Sequence, residues 1–198
     1  MSDKRWKYLG KPEILLILLD RKKIIKLDDK RFIEMSYKIN MGKKLDLDNP
    51  QTFNEKLQWL KLNDRKDIYS TMVDKYEVKK YVSNIIGERY IIPTLGVYDS
   101  FDEIDFTELP EQFVLKCTHD SGGLVICKNK EELNIRKERK KFKKLLNTDF
   151  FRFEREWPYK NVKPRIIAEK YMATENQKEL IDYKFFCING KQIGRAHV

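Results

Sequence analysis

The chain has little of what several common chemistries need. It holds only two histidines, His119 and His197. Acid–base catalysis on imidazole therefore has one interior candidate, and His119 reads more simply as a packing residue. The cysteines are three, Cys117, Cys127 and Cys187. The number is odd and no Cys-x-x-Cys pair occurs, which argues against a disulfide framework or a zinc site and fits a reducing cytoplasm. All three sit in apolar runs and read as core thiols. The longest apolar run, Ile14 to Leu19, is six residues. That is far too short to span a bilayer, so it reads as one face of a buried helix, with peripheral membrane contact as the alternative. There is no Gly-x-x-x-x-Gly-Lys-Ser/Thr loop, no Gly-x-Gly-x-x-Gly, no His-Glu-x-x-His and no Gly-x-Ser-x-Gly.

What is present is charge and enough apolar residue to fold. Of 198 residues 41% are hydrophobic, which excludes a disordered chain. The formal net charge of +10 favours anionic partners: nucleotide phosphates, nucleic acid, acidic sugars or an anionic membrane face. Seven of the nine residues from Arg136 to Lys144 are basic. With no zinc-finger or RRM signature, that run reads as the solvated face of a helix rather than a specific nucleic-acid site.

The pattern along the chain predicts an α+β fold. Residues 1–68 read as a helical segment. Thr52 and Glu55 have capping-box spacing, and Phe53, Leu57 and Leu60 follow on one face. A second helix is predicted over about 70–86, opened by Lys75 and stopped by Gly87, with Val78, Tyr81, Val82 and Ile85 on one face. Extended segments follow at 91–98, 113–117 and 124–127, the last two joined by Ser121-Gly122-Gly123 as a hairpin. A basic helix is predicted over 130–146, and further strands at 165–169 and 182–187. Asn189-Gly190 is a strong turn signal that a strand should follow, but the chain stops almost at once, which reads as a hairpin turn with no return strand. The last six residues, 193–198, resemble the translation of a sequencing adapter and are read as an artefactual tail on a longer reading frame.

Two lysines stand out. Lys116 lies inside an apolar strand, a costly place unless the ammonium is paired or faces a ligand. A glycine loop follows it, and backbone N–H groups there can approach phosphate oxygens without a Cβ in the way. On spacing alone, an edge-strand lysine pointing to water explains the same residues.

The stretch from Asp74 to Cys127 resembles the amino-terminal half of ATP-grasp domains. The resemblance implies that Lys75 and Lys116 contact phosphates and that Ser121, Gly122 and Gly123 close over them. It implies that Glu169, Lys170, Tyr171 and Met172 form the hinge that holds adenine, with Glu175 near the ribose. Asn49-Pro50-x-Thr52-Phe53-Asn54-Glu55-Lys56-Leu57-Gln58-Trp59, Cys117-Thr118-His119-Asp120-Ser121-Gly122-Gly123, Arg155-Glu156-Trp157-Pro158-Tyr159 and Asp182-Tyr183-Lys184 together are similar to the TupA-like ATP-grasp branch, associated with bacterial cell-surface polysaccharide and teichuronopeptide biosynthesis. Asp182 and Lys184 join the candidate site on that basis.

This resemblance implies residues 69–192 as the front part of an ATP-grasp domain. It implies ATP and, for a full-length protein, Mg2+, with carboxylate and amine substrates and an acidic sugar polymer among the partners. The metal ligands of such enzymes lie in the second half of the domain, so none is assigned here and the 198-residue chain is not expected to turn over. Glu156 to Tyr159 read equally as contacts for an acceptor sugar or as loop packing. The competing readings are a non-catalytic basic module for an anionic polymer and a glycosyltransferase-associated polysaccharide protein.

Overall fold

The computed structural model describes residues 12–172 and 183–197. Glu175 and Asp182 lie outside the described residues. Three helices come first: α1 (Pro12–Arg21), α2 (Asp29–Met41) and α3 (Phe53–Asn63). The Asp28 side chain caps α2 by accepting from the Arg31 N–H, and Gly42, at φ 71°, ends it in the left-handed conformation a glycine takes freely. Ile17, Leu27, Phe32, Ile33, Tyr37 and Leu45 form a core for this segment.

The capping box at the start of α3 forms as its spacing requires. Glu55 accepts from the backbone N–H of Thr52 and from Lys43, both at 2.9 Å. The Thr52 backbone bond, then Lys43, hold the Glu55 carboxyl down at about 2. This polar face turns inward, toward Lys43 and the Tyr37 hydroxyl. The apolar face therefore turns outward: Phe53 is 71% exposed, and Leu57 and Leu60 are also exposed.

The single helix predicted over 70–86 is two helices, α4 (Ile68–Val73) and α5 (Glu77–Ile86). Asp74 causes the break. Its backbone is extended (φ −68°, ψ 114°), and its Oδ1 accepts from the N–H groups of Tyr76 and Glu77. An aspartate that offers the backbone this local acceptor competes with continuous helix. Arg165 pins the break by pairing with Asp74 at 2.9 Å and Glu77 at 2.8 Å.

A four-stranded antiparallel sheet follows, in the order β1 (Thr94–Tyr98), β4 (Ile166–Lys170), β2 (Phe113–Cys117), β3 (Leu124–Cys127). The predicted β2–β3 hairpin is present. Side chains alternate between the two faces of a strand. Phe113, Leu115, Cys117, Ile166 and Ala168 face a core closed by Phe101 and by Phe142 of α6 (Ile135–Leu146). The rings of Phe101 and Phe142 stack at 5.7 Å. The opposite face carries Lys116 and Glu169.

Helix α6 starts at Ile135 rather than 130, because the Asn134 side chain caps it through the Lys137 N–H. Glu138 and Phe142 point inward, and most of the basic residues from Arg136 to Lys144 are exposed, as a solvated face requires. The short helix α7 (Phe151–Glu154) ends at Arg155, which reaches back to α1.

β5 (Tyr183–Ile188) and β6 (Lys191–His197) form a separate two-stranded hairpin. Asn189 and Gly190 have φ of 50° and 72°, the pair of positive values a tight two-residue turn needs. The expectation of a turn without a return strand is thus overturned. Strand pairing runs through backbone N–H and C=O groups, so 191–197 pairs whatever its side chains resemble. Cys187 is also corrected: it is exposed, whereas Cys117 and Cys127 are buried. Among the described residues, no helix is long and apolar enough to cross a membrane.

Candidate functional site

Glu169 sits in the central strand β4 with 4% of its surface exposed. A carboxylate there needs compensation, since an isolated buried charge is strongly unfavourable. Two lysines supply it. Lys116, from the neighbouring strand β2, lies 2.7 Å from Oε2; Lys79, from α5, lies 2.6 Å from Oε1. Burial pushes the Glu169 carboxyl up, but the hydrogen bonds from Lys116 and Lys79 outweigh it and hold the group below its ordinary value. Lys116 is therefore neither unpaired nor simply solvated. It keeps 30% of its side chain exposed, so it reaches both the buried carboxylate and solvent.

Lys79 escapes the motif reading. The signal available was chemical: a glutamate in an apolar strand requires a countercharge. Lys79 also donates to the Ile92 carbonyl at 2.5 Å. It lines a cleft of about 660 Å³ between α5 and the segment entering β1, with Tyr76, Lys80, Ile92, Pro93 and Thr94.

Lys75 stands in the break between α4 and α5. Its backbone N–H donates to the Thr118 carbonyl at 3.1 Å. Its ammonium donates to the carbonyls of Cys117, at 2.8 Å, and Asp120. The Asp120 carboxylate lies 3.5 Å away. Lys75 thus clasps the end of β2 and the start of the glycine loop. The structure joins Lys116 to Glu169 and Lys75 to the loop; Lys75 and Lys116 share no side-chain partner among the described residues.

The loop itself is built on Asp120 and two glycines. Asp120 is buried, accepts from the Gly123 N–H at 3.3 Å, and leaves Oδ2 without a partner. Ser121 and Gly122 are exposed. Gly122 has φ 130°, a conformation other residues rarely adopt. At Gly123 the constraint is space: a Cβ would lie 2.1 Å from Asp120 Oδ2 and 2.8 Å from Leu145 Cδ1. Gly123→Ala is accordingly expected to destabilise the protein by about 1–3 kcal/mol through overpacking and to loosen the loop. Thermal melts measure the first effect and amide exchange of residues 120–124 the second; an unchanged melting temperature would contradict the packing argument. His119 is buried beside this loop, its Nε2 3.1 Å from the Leu145 carbonyl, in the packing role its context implied. Burial pushes the Cys117 thiol up to about 12, which removes it as a nucleophile.

Of the hinge residues, Glu169 is the lysine-bound carboxylate. The Lys170 N–H already donates to the Pro93 carbonyl at 3.0 Å, so that donor is committed within the sheet edge. Lys170 and Met172 are exposed and Tyr171 is half-buried. Lys184 is exposed on the separate hairpin. Among the described residues there is no group of three or more His, Cys, Asp or Glu able to hold a metal ion.

The site therefore combines a buried carboxylate bridged by two lysines on a sheet face with a glycine loop leaving the adjoining strand. Residues 55–195 match the family model described as TupA-like ATPgrasp, and the chain belongs to that family. It is thus a protein of the ATP-grasp, ligase-like, nucleotide-binding class. Comparison with curated proteins and with solved structures gives no match.

Proposed function

We propose that the chain provides the ATP-binding part of a carboxylate–amine ligase serving cell-surface polysaccharide assembly, with residues 69–192 as the ATP-grasp portion. In such a reaction a carboxylate oxygen attacks the γ-phosphorus of ATP and ADP leaves. The amine then attacks the acyl carbon, phosphate leaves with the C–O bonding pair, and the amine loses a proton. The observation that carries this reading is the Lys116–Glu169–Lys79 cluster beside the Ser121–Gly123 loop in a chain of this family.

Each residue has a proposed task. Lys116 offers its ammonium to phosphate oxygens as negative charge shifts among them. Glu169 keeps Lys79 at 2.6 Å when Lys116 turns away, so the buried carboxylate is never left bare. Lys75 holds the loop in place through the carbonyls of Cys117 and Asp120. Gly122 and Gly123 let backbone N–H groups approach phosphate closely. The cleft beside Lys79, Pro93 and Thr94 takes the base.

The rival is a basic module for anionic polymers, favoured by the exposed cations of α6. Calorimetry separates the two. Saturable one-to-one binding of Mg-ATP that heparin does not displace is the expected result. Heparin binding with a steep salt dependence and no heat from ATP would select the rival.

A further inference from the structure

A second cavity, of about 470 Å³, lies between α3, α4 and the 157–161 turn. It is lined by Leu57, Leu60, Tyr69, Glu156, Trp157 and Tyr159, among others. This size and an aromatic lining with few polar groups are those of a small-molecule site. Two of the sequence blocks singled out at the start, 49–59 and 155–159, meet here although about a hundred residues separate them. The exposed Leu57 and Leu60 face of α3 forms one wall.

The charged groups of this cavity, and the Trp157 indole, can be accounted for one by one. The Lys61 ammonium donates to the Glu154 carbonyl at 2.9 Å. Asp64 accepts from the Tyr69 hydroxyl at 2.8 Å and lies 3.4 Å from Lys66. Trp157 Nε1 is buried and has no partner. Glu156 is half-buried, and its carboxylate makes no hydrogen bond or ion pair among the described residues. Lys61, on the same cavity, feels the Glu156 charge, but its ammonium donates to the Glu154 carbonyl, so the Glu156 carboxylate has no hydrogen-bond donor of its own. It selects a cation. The Trp157 ring already attracts cations: Arg65 lies 4.9 Å and Lys160 4.8 Å from its centroid.

The cavity also adjoins the loop. Val73 lines it, and Lys75, two residues on, clasps the Asp120 turn. Tyr159 lies close enough to feel the charge of Asp120.

We infer that this groove binds a small ring-bearing primary amine as its ammonium ion, of the aminated-sugar class, with Glu156 as the countercharge and Trp157 and Tyr159 as the apolar wall. The inference rests on the ligase reading, in which this amine is the acceptor. The Trp157 Nε1–H is placed to donate to a ring oxygen or hydroxyl.

The test uses glucosamine as probe, with N-acetylglucosamine and glucuronate as controls, by saturation-transfer NMR and calorimetry on the whole chain. Glucosamine is expected to bind and the acetylated sugar to bind at least about 10-fold more weakly, the factor that 1.4 kcal/mol supplies. Glu156→Gln, isosteric and without a side-chain partner to lose, is expected to abolish that preference while leaving the melting temperature and Mg-ATP binding unchanged. Glu156→Lys is expected to shift preference to glucuronate. Equal binding of the two amino sugars, preference of the wild type for glucuronate, no effect of Glu156→Gln, or no sugar binding would each overturn the inference. If Mg-ATP still binds in those cases, only the acceptor site falls. If Mg-ATP fails to bind, the ligase reading falls on its own account.

Discussion

Arg155→Met is expected to destabilise the protein by about 3–5 kcal/mol, the cost of removing one member of a buried ion pair. Arg155 is 3% exposed and Asp20, its partner, is fully buried. The guanidinium Nη2 lies 2.6 Å from Asp20 Oδ2, and Nε lies 3.1 Å from Asp29 Oδ1. The guanidinium also lies over the Phe32 ring, 4.1 Å from its centroid. Methionine keeps much of the packing volume but none of the charge. Asp20 would retain the Leu27 N–H at 2.8 Å and the more exposed Arg152, too little to match the lost pair. The helical segment and the 151–157 region are joined by this contact, so both are expected to loosen together. Urea denaturation checks it, with Lys163→Ala as control. Lys163 pairs with Asp99 at 2.8 Å, both side chains well exposed, a surface bridge that contributes about 0–1 kcal/mol. Equal losses in the two variants would contradict the assignment.

Glu169→Gln is expected to cost about 2–3 kcal/mol near pH 7, somewhat less than a fully buried pair because Lys116 stays partly exposed. The substitution leaves two ammonium groups facing each other across a neutral amide. The dependence on pH has a definite sign. The folded-state pKa of Glu169 lies below its ordinary value of 4.5. Its contribution to stability is complete above that ordinary value and is lost as pH falls through the depressed one. The gap between wild type and Glu169→Gln should be flat from pH 7 to about 5 and close as the solution becomes more acidic. Chemical denaturation at several pH values measures it; a gap that widens in acid would contradict the ion cluster.

The local elements were legible where short-range chemistry decides them. The capping box at Thr52 and the β2–β3 hairpin follow from residue types a few positions apart. The break at Asp74 was not legible, because it depends on Arg165, ninety-one residues away, holding the carboxylate in place. The outward turn of Phe53, Leu57 and Leu60 was hidden for a similar reason: a helical period tells which residues share a face, and Glu55 bonding to Lys43 and Tyr37 decides which face goes inside. At the site, Lys116 and Glu169 were each identified, but for different ends of a nucleotide. Their direct pairing required the register that sets Lys116 opposite Ile167 and so brings Glu169 two residues along on the same face. Lys79 had no motif at all and emerged only from the need to neutralise a buried carboxylate.

Lys116 is the residue on which the account turns. It joins the buried carboxylate to solvent, next to the glycine loop. Lys116→Ala should fold, because Glu169 keeps Lys79. The decisive measurement is the affinity of wild type and Lys116→Ala for Mg-ATP by calorimetry. A charge-assisted bond to phosphate contributes about 1.5–3 kcal/mol, so the variant is expected to bind about 10- to 100-fold more weakly with an unchanged fold. Equal affinity in the two proteins would contradict the placement of the phosphates at this site.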